Sequence, residues 1–244
     1  MPIRSAGDAR RRGLLLAALG LAAAPALAAE GWGGSVGVVS DYVYRGLTQS
    51  DNRPALQGDL HYYSAGGWFA GGWVSSVKRS PLVSTSAELD AYLGHAWSGA
   101  SPWSARLFAV HHAYPWDDPG HYDYTELSGS LAYADRAAVT VSFLPDASYD
   151  GPGHSVSGRA ALSYGLALHQ PLWRALSANA GAGYYDMRWL AHSGYVYWNA
   201  GLAYAWGPLQ LDLSWIGTGH TARELFYGEA PANRLVGTVL WRFP

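Results

Sequence analysis

Beyond residue 30 the chain alternates apolar and polar residues with period two, the pattern of strands that present one face to each of two environments. The stretch 36–62 sets this pattern. Val36, Val38, Tyr42 and Tyr44 fall on one face, and Gly37, Asp41 and Arg45 on the other. A turn-rich segment runs from Gly46 to Pro54, after which Leu56, Leu60 and Tyr62 oppose Gln57, Asp59 and His61, so the stretch reads as one long hairpin. Leu89, Ala91 and Leu93 oppose Glu88, Asp90 and Tyr92 in the same way. Val156, Ala160, Leu162, Tyr164 and Leu166 oppose Ser155, Ser157, Arg159 and Ser163. Near the end, Leu209, Leu211, Leu213 and Trp215 oppose Gln210, Asp212 and Ser214, and Leu235, Val239, Trp241 and Phe243 oppose Arg234, Thr238 and Arg242. The pattern predicts twelve strands, near 33–45, 54–63, 68–77, 86–97, 103–114, 122–133, 137–145, 154–168, 175–186, 195–206, 208–217 and 233–243. Connections alternate in length. Short ones fall at 64–67, 98–102, 134–136, around Pro171 and at Gly207; long ones fall at 46–53, 78–85, 115–121, 145–153, 187–194 and 218–232.

Alternation alone permits a soluble barrel with its apolar face inside or a membrane barrel with that face outside. Composition decides between them. Charged residues are 14% of the chain, against roughly 25% in soluble domains, and Lys78 is the single lysine. A soluble surface needs more charge than this. The 12 Trp and 17 Tyr instead suit aromatic girdles at two membrane interfaces. Trp68, Trp97, Trp103, Trp173, Trp206 and Trp241 fall beside the short turns or the C-terminal end, whereas Tyr44, Tyr114, Tyr122, Tyr184 and Trp215 fall toward the long loops. The expected fold is therefore an all-β, transmembrane, antiparallel up-and-down β-barrel of about 12 strands. Ahead of it, Arg4 and Arg10-Arg11-Arg12, an apolar run 13–24 and an A-x-A site ending at Ala28 predict a signal peptide over 1–28 and a barrel domain over 29–244. Removing the leader's four Arg and one Asp from 16 basic and 18 acidic residues leaves 12 and 17, a balance of −5. This offers nothing to a nucleic acid, and the absence of cysteine excludes disulfide or thiolate chemistry.

With the apolar face outward, Asp41, Arg45, Asp59, His61, Glu88, Asp90, Arg106, Glu126, Arg159, Asp212 and Arg242 are expected to line the lumen. Such charges must pair or stay solvated. As a pore lining they would bias the passage of small polar solutes or ions, with a mild preference for cations along a wall rich in carboxylates. As a salt-bridged plug they would stiffen a barrel that does not conduct. His111-His112 with Asp117, Asp118 and His121 has the letters of a metal cluster, but adjacent strand residues point to opposite faces. A loop site from Asp117, Asp118 and His121 is then the alternative to solvated polarity. Gly33-Gly34-Ser35-Val36-Gly37 has the letters of a nucleophile elbow but opens a strand with no helical pattern behind it. An outer-membrane lipid hydrolase built on outward-facing His111 finds no triad by spacing. No catalytic residue, cofactor or metal ligand is expected, and no enzymatic activity.

The chain ends Leu240-Trp241-Arg242-Phe243-Pro244, similar to the terminal aromatic assembly signal of outer-membrane barrels, with Pro244 placed after the Phe. The opening stretch is more specific. Ser40-Asp41-Tyr42, Tyr44-Arg45-Gly46, Thr48-Gln49, Pro54-Ala55 and Gln57-Gly58 resemble the start of the TorF-family porins, also known as Gcw_chp. Glu88-Leu89-Asp90, Ala113-Tyr114-Pro115 and Asp123-Tyr124-Thr125-Glu126-Leu127 extend the resemblance over most of the chain. It implies a channel in the Gram-negative outer membrane, exported through the periplasm after signal-peptide cleavage. Its partners would be outer-membrane lipid and lipopolysaccharide, the barrel-assembly machinery during insertion, and small polar solutes or ions.

Overall fold

The computed structural model describes residues 30–78, 87–115, 122–151, 154–226 and 233–244. The expected leader and the candidate loop residues Asp117, Asp118 and His121 lie outside them. Among the described residues, twelve antiparallel strands close into a barrel: β1 (Gly31–Val39), β4 (Ala55–Tyr63), β5 (Trp68–Ser76), β6 (Ala87–Trp97), β7 (Trp103–Ala113), β8 (Tyr124–Tyr133), β9 (Ala137–Gly151), β10 (His154–Trp173), β11 (Leu176–Met187), β12 (Ser193–Trp206), β13 (Leu209–Thr218) and β14 (Arg234–Phe243). Each strand pairs with its neighbour in the barrel sequence, and β1 closes the ring on β14 through pairs such as Val38↔Val239. Closure removes the free edges that an open sheet would expose.

The pleat turns the apolar face outward. Leu56, Leu60, Leu89, Leu93, Leu211 and Leu213 are all exposed, while Glu88 and Glu126 are about 1–2% exposed on the inside. A solvated globule has the reverse arrangement. The six tryptophans at the short turns are 51–72% exposed and form the belt expected there. The opposite belt differs from expectation. Tyr184 and Trp215 face outward, but Tyr114 is buried and Tyr44 points into the barrel.

That last difference comes from the opening stretch, which is not one long hairpin. β1 stops at Val39, with Ser40 still bonded to Gly237 of β14 through both its backbone N–H and its side chain. Residues 41–50 then fold into the barrel and carry a miniature hairpin, β2 (Val43–Tyr44) and β3 (Leu47–Thr48). Val36 and Val38 remain outward, so Tyr42 and Tyr44 do not share their face. The turn between β2 and β3 puts Arg45 at φ 48° and Gly46 at φ 80°, both left-handed, as a type I′ turn requires. Glycine adopts this freely, whereas arginine does so at a cost that its side-chain contacts must offset. A Cβ at Gly46 would collide with Thr218 and Tyr197, so the tip of the hairpin is pressed against β12 and β13.

Asp41 anchors the root of the hairpin. Its carboxylate accepts from Thr48 Oγ1 (2.5 Å) and Ser50 Oγ (3.0 Å) and pairs with Arg234 of β14. Two apolar clusters seal the surroundings. Leu47 packs with Leu144, Tyr149, Met187, Leu190, Tyr195 and Tyr197, while Tyr42 and Val43 pack with Val39, Val77, Tyr114, Ile216 and Val236. Two short helices, α1 (Arg188–Ala191) and α2 (His220–Leu225), lie in the long connections and contribute Leu190 and Ala222 to the first cluster.

Candidate functional site: the barrel lumen

Inward-pointing side chains form two storeys, separated along the strands by how deeply they are buried. The upper storey lies toward the long loops. Its centre is Arg45, whose Nη2 donates to Glu126 Oε2 at 2.7 Å with both side chains almost fully buried. Tyr44 donates to the same oxygen at 2.9 Å, and Ser128 donates to Glu126 Oε1 at 3.0 Å. The guanidinium also lies 4.7 Å from the ring centres of both Tyr44 and Tyr185, a desolvated cation–π arrangement. Arg45 belongs to the hairpin rather than to a spanning strand. Burial opposes its charge, yet Glu126 more than offsets this, and its pKa rises well above the ordinary value. Arg45 therefore stays charged.

Beside it, the register sets Asp90 of β6 opposite His112 of β7, with Glu88 two residues along on the same inward face. His112 Nδ1 lies 3.0 Å from Asp90 Oδ1 and 3.2 Å from Glu88 Oε1, and all three residues are buried. The Tyr124 ring stacks on the imidazole at 4.3 Å.

The lower storey lies toward the short turns; its charged groups are partly buried, while Tyr63 and Gln210 are fully so. Tyr92 donates to Asp59 Oδ2 at 2.6 Å, and His61 contacts the other Asp59 oxygen. Gln210 donates to Asp212, which also interacts electrostatically with Arg242. Arg106 sits near Tyr63 and Asp135, and His169 contacts Asn179 at 2.8 Å.

Of the residues expected to line a lumen, the structure brings together Arg45 with Glu126, Glu88 with Asp90, Asp59 with His61, and Asp212 with Arg242, and it ties Asp41 to Arg234. Arg159 departs from expectation. It is exposed where Gly158, at φ 64°, and register shifts on both sides break the alternation of β10, and Val156 packs on an inner cluster instead of facing out. His111 is exposed, 3.2 Å from Thr125 Oγ1, while His112 points inward, the opposition expected of strand neighbours. Sequence reasoning missed Arg234 and Tyr124 as lumen partners and did not connect His112 to β6.

The sequence matches the family described as "Bacterial protein of unknown function (Gcw_chp)" over residues 23–241. No curated protein matches the chain. Among solved structures, the barrel is similar to the NanC porin, with TM-score 0.57 and 10% identity, covering 87% of this chain and 99% of that one. It is also similar to the KdgM porin, with TM-score 0.53 and 9% identity over the same shares. A second KdgM porin structure, in complex with disordered oligogalacturonate, aligns with TM-score 0.50 and 8% identity, again over 87% of this chain and 99% of that one. At these identities the likeness concerns the fold.

Proposed function

The chain belongs to the Gcw_chp family, and from its barrel we propose a porin-type channel of the Gram-negative outer membrane, of the TorF kind, that passes small polar solutes or ions and has no enzymatic activity. The observation that carries this reading is the inversion of the barrel: leucines outside, paired charges and hydroxyls inside. The fold shared with two porins supports it. Residues 41–50 then act as the constriction, because this segment reaches from β1 across to Glu126 of β8, Tyr185 of β11 and Tyr197 of β12. Solute passes where the hairpin yields, and the half-exposed lower storey forms the vestibule beneath it.

Planar-bilayer recording tests this reading. Wild-type protein should give small, intermittent steps, and a variant with 42–49 replaced by a short Gly/Ser link should give large, steady ones. A variant that folds and inserts but passes no current would sink the channel reading. The near-complete burial of residues 41–50 favours a second reading, a permanently plugged structural or surface-recognition barrel. Wild type that never conducts, beside a variant that does, would select it. Membrane orientation has its own check. Leu213→Arg places a charge on the outer face and should cost ~2–4 kcal/mol in bilayer folding, while Ser214→Arg on the inner face should cost less.

A further inference from the structure

We propose that Glu88, Asp90 and His112 form a binding site for one divalent transition cation of the Zn2+ type, clasped between β6 and β7 beneath the inward hairpin. Three donors converge there: an imidazole nitrogen and one oxygen from each of two carboxylates, all within 4.8 Å of one another. His112 Nδ1 is 3.0 and 3.2 Å from its two oxygen neighbours. Donors sharing a cation at bond lengths of about 2.0–2.1 Å sit about 2.8–3.4 Å apart for angles between 90° and tetrahedral. The two nitrogen–oxygen spacings match edges of such a coordination polyhedron. Ca2+ takes six to eight oxygens at about 2.3–2.6 Å and fits a nitrogen-containing set of three poorly. One imidazole with two carboxylates suits a borderline cation.

Charge supplies an independent argument. Glu88 and Asp90 are about 1% and 8% exposed, and two buried carboxylates so close together require compensation. The nearby guanidinium of Arg45 is engaged with Glu126, and that of Arg234 with Asp41. An imidazolium would supply one positive charge and a single Nδ1 proton shared between two acceptors. Glu88 Oε2 would then stay buried without a hydrogen-bond partner among the described residues. A divalent cation balances both carboxylates, and Glu88 Oε2, on the same carboxylate as a proposed ligand atom, offers it a bidentate grip.

Consequences follow for the fold. The cation would link two adjacent strands at their long-loop ends, next to Tyr44 of the hairpin, whose ring centre lies 6.1 Å from that of His112. The proposal does not depend on conduction, since a plugged barrel would hold the ion equally well.

The test uses full-length protein extracted from membranes in detergent, stripped with a chelator, and titrated with Zn2+ alone. One equivalent should remain bound after dialysis. Loss of an outer-shell partner costs roughly 10–100-fold in metal affinity, and loss of a ligand should cost at least as much. Glu88→Gln and Asp90→Asn, both close in shape, should therefore each weaken binding tenfold or more, and His111→Gln on the outer face should not. No retained Zn2+ in wild type, or unchanged affinity in both carboxamide variants, would overturn the site. Should those variants fail to fold, X-ray absorption at the zinc edge of wild type decides. One imidazole among oxygen donors at about 2.0–2.1 Å supports the site, and a shell without imidazole overturns it.

Discussion

The two storeys of the lumen are built from the same kinds of residue and differ in almost everything else. Above, Arg45, Glu126, Glu88, Asp90 and Ser128 are closed off by the hairpin and by the clusters around Leu47 and Tyr42. Below, Asp59, His61, Arg106, Asp212 and Arg242 are only partly buried. The strands are continuous through both, so the difference comes from what folds in at the long-loop end, above all residues 41–50 with the clusters packed against them. A short stretch of chain, folded in rather than out, turns half of a polar lumen into a protein core. In that half an ion pair is a structural commitment, while in the other it is a screened surface contact.

The most direct way to break this comparison is to remove one arginine from each storey. Arg45→Ala leaves Glu126 buried without its cation and should destabilise the folded barrel by ~3–5 kcal/mol. Adding Glu126→Gln to that variant should recover part of the loss, since the remaining donors Tyr44 and Ser128 can bond a neutral amide. Arg242→Ala should cost under about 1 kcal/mol, as expected of a solvent-screened pair. Urea unfolding in a fixed lipid or detergent compares the three. Equal costs for Arg45→Ala and Arg242→Ala would mean that the storeys do not differ electrically.

A smaller effect sharpens the boundary between them. The chain has no cysteine, so a single introduced thiol reports its own exposure. Ser128 and Ser130 share the inward face of β8, two residues apart, yet the first is about 1% exposed and the second is half-buried. Ser130→Cys should react with a water-soluble thiol reagent on the order of 10–100-fold faster than Ser128→Cys, a difference of ~1.4–2.7 kcal/mol in access. Similar rates would place water beside Glu126 and remove the seal.

The barrel was legible in the sequence because its information is local. Period-two alternation, turn residues and aromatic placement all act within a dozen residues, and each of the twelve expected strands has its counterpart, although β1 stops at Val39 rather than 45 and β9 and β10 run on to Gly151 and Trp173, through the expected long connection and past Pro171. The hairpin was not legible. Arg45-Gly46 lacks the Asn-Gly or Asp-Gly signal of a type I′ turn. What holds it in place, Glu126 and Arg234, lies 81 and 193 residues from its partners Arg45 and Asp41. Lumen charges could be assigned a face by parity but not a partner. The grouping of His112 with Glu88 and Asp90 needs the β6–β7 register, which alternation does not specify. Arg159 shows the limit of parity itself, since irregular pairing around Gly158 breaks the alternation.

The smallest expected effect is ion selectivity, and here the structure revises the expectation from charge count. The balance of −5 expected without the leader, and the carboxylates of the first half, imply a cation preference. In the structure, however, Glu126 is neutralised by Arg45 and Asp41 by Arg234, and Glu88 and Asp90 are closed off with His112. Among the described residues, the strand charges left only partly buried below are Asp59 and Asp212 with Arg106 and Arg242, two of each sign. Equal numbers of the two signs, with Asp212 and Arg242 on neighbouring strands, largely cancel along the axis, so the reversal potential of conducting protein in a salt gradient should lie near zero. Single changes in the lower storey should tip it: Arg242→Gln toward cations, Asp212→Asn toward anions, each by roughly a factor of two in permeability ratio at low salt, under 0.5 kcal/mol. Both shifts should fade in 1 M salt, where the Debye length is about 3 Å. Glu126→Gln, in the sealed storey, should leave the sign unchanged unless it also loosens the hairpin, which a rise in conductance would reveal. A strong wild-type cation preference that Asp212→Asn does not move would place the selective charges above, among the buried carboxylates that the hairpin covers.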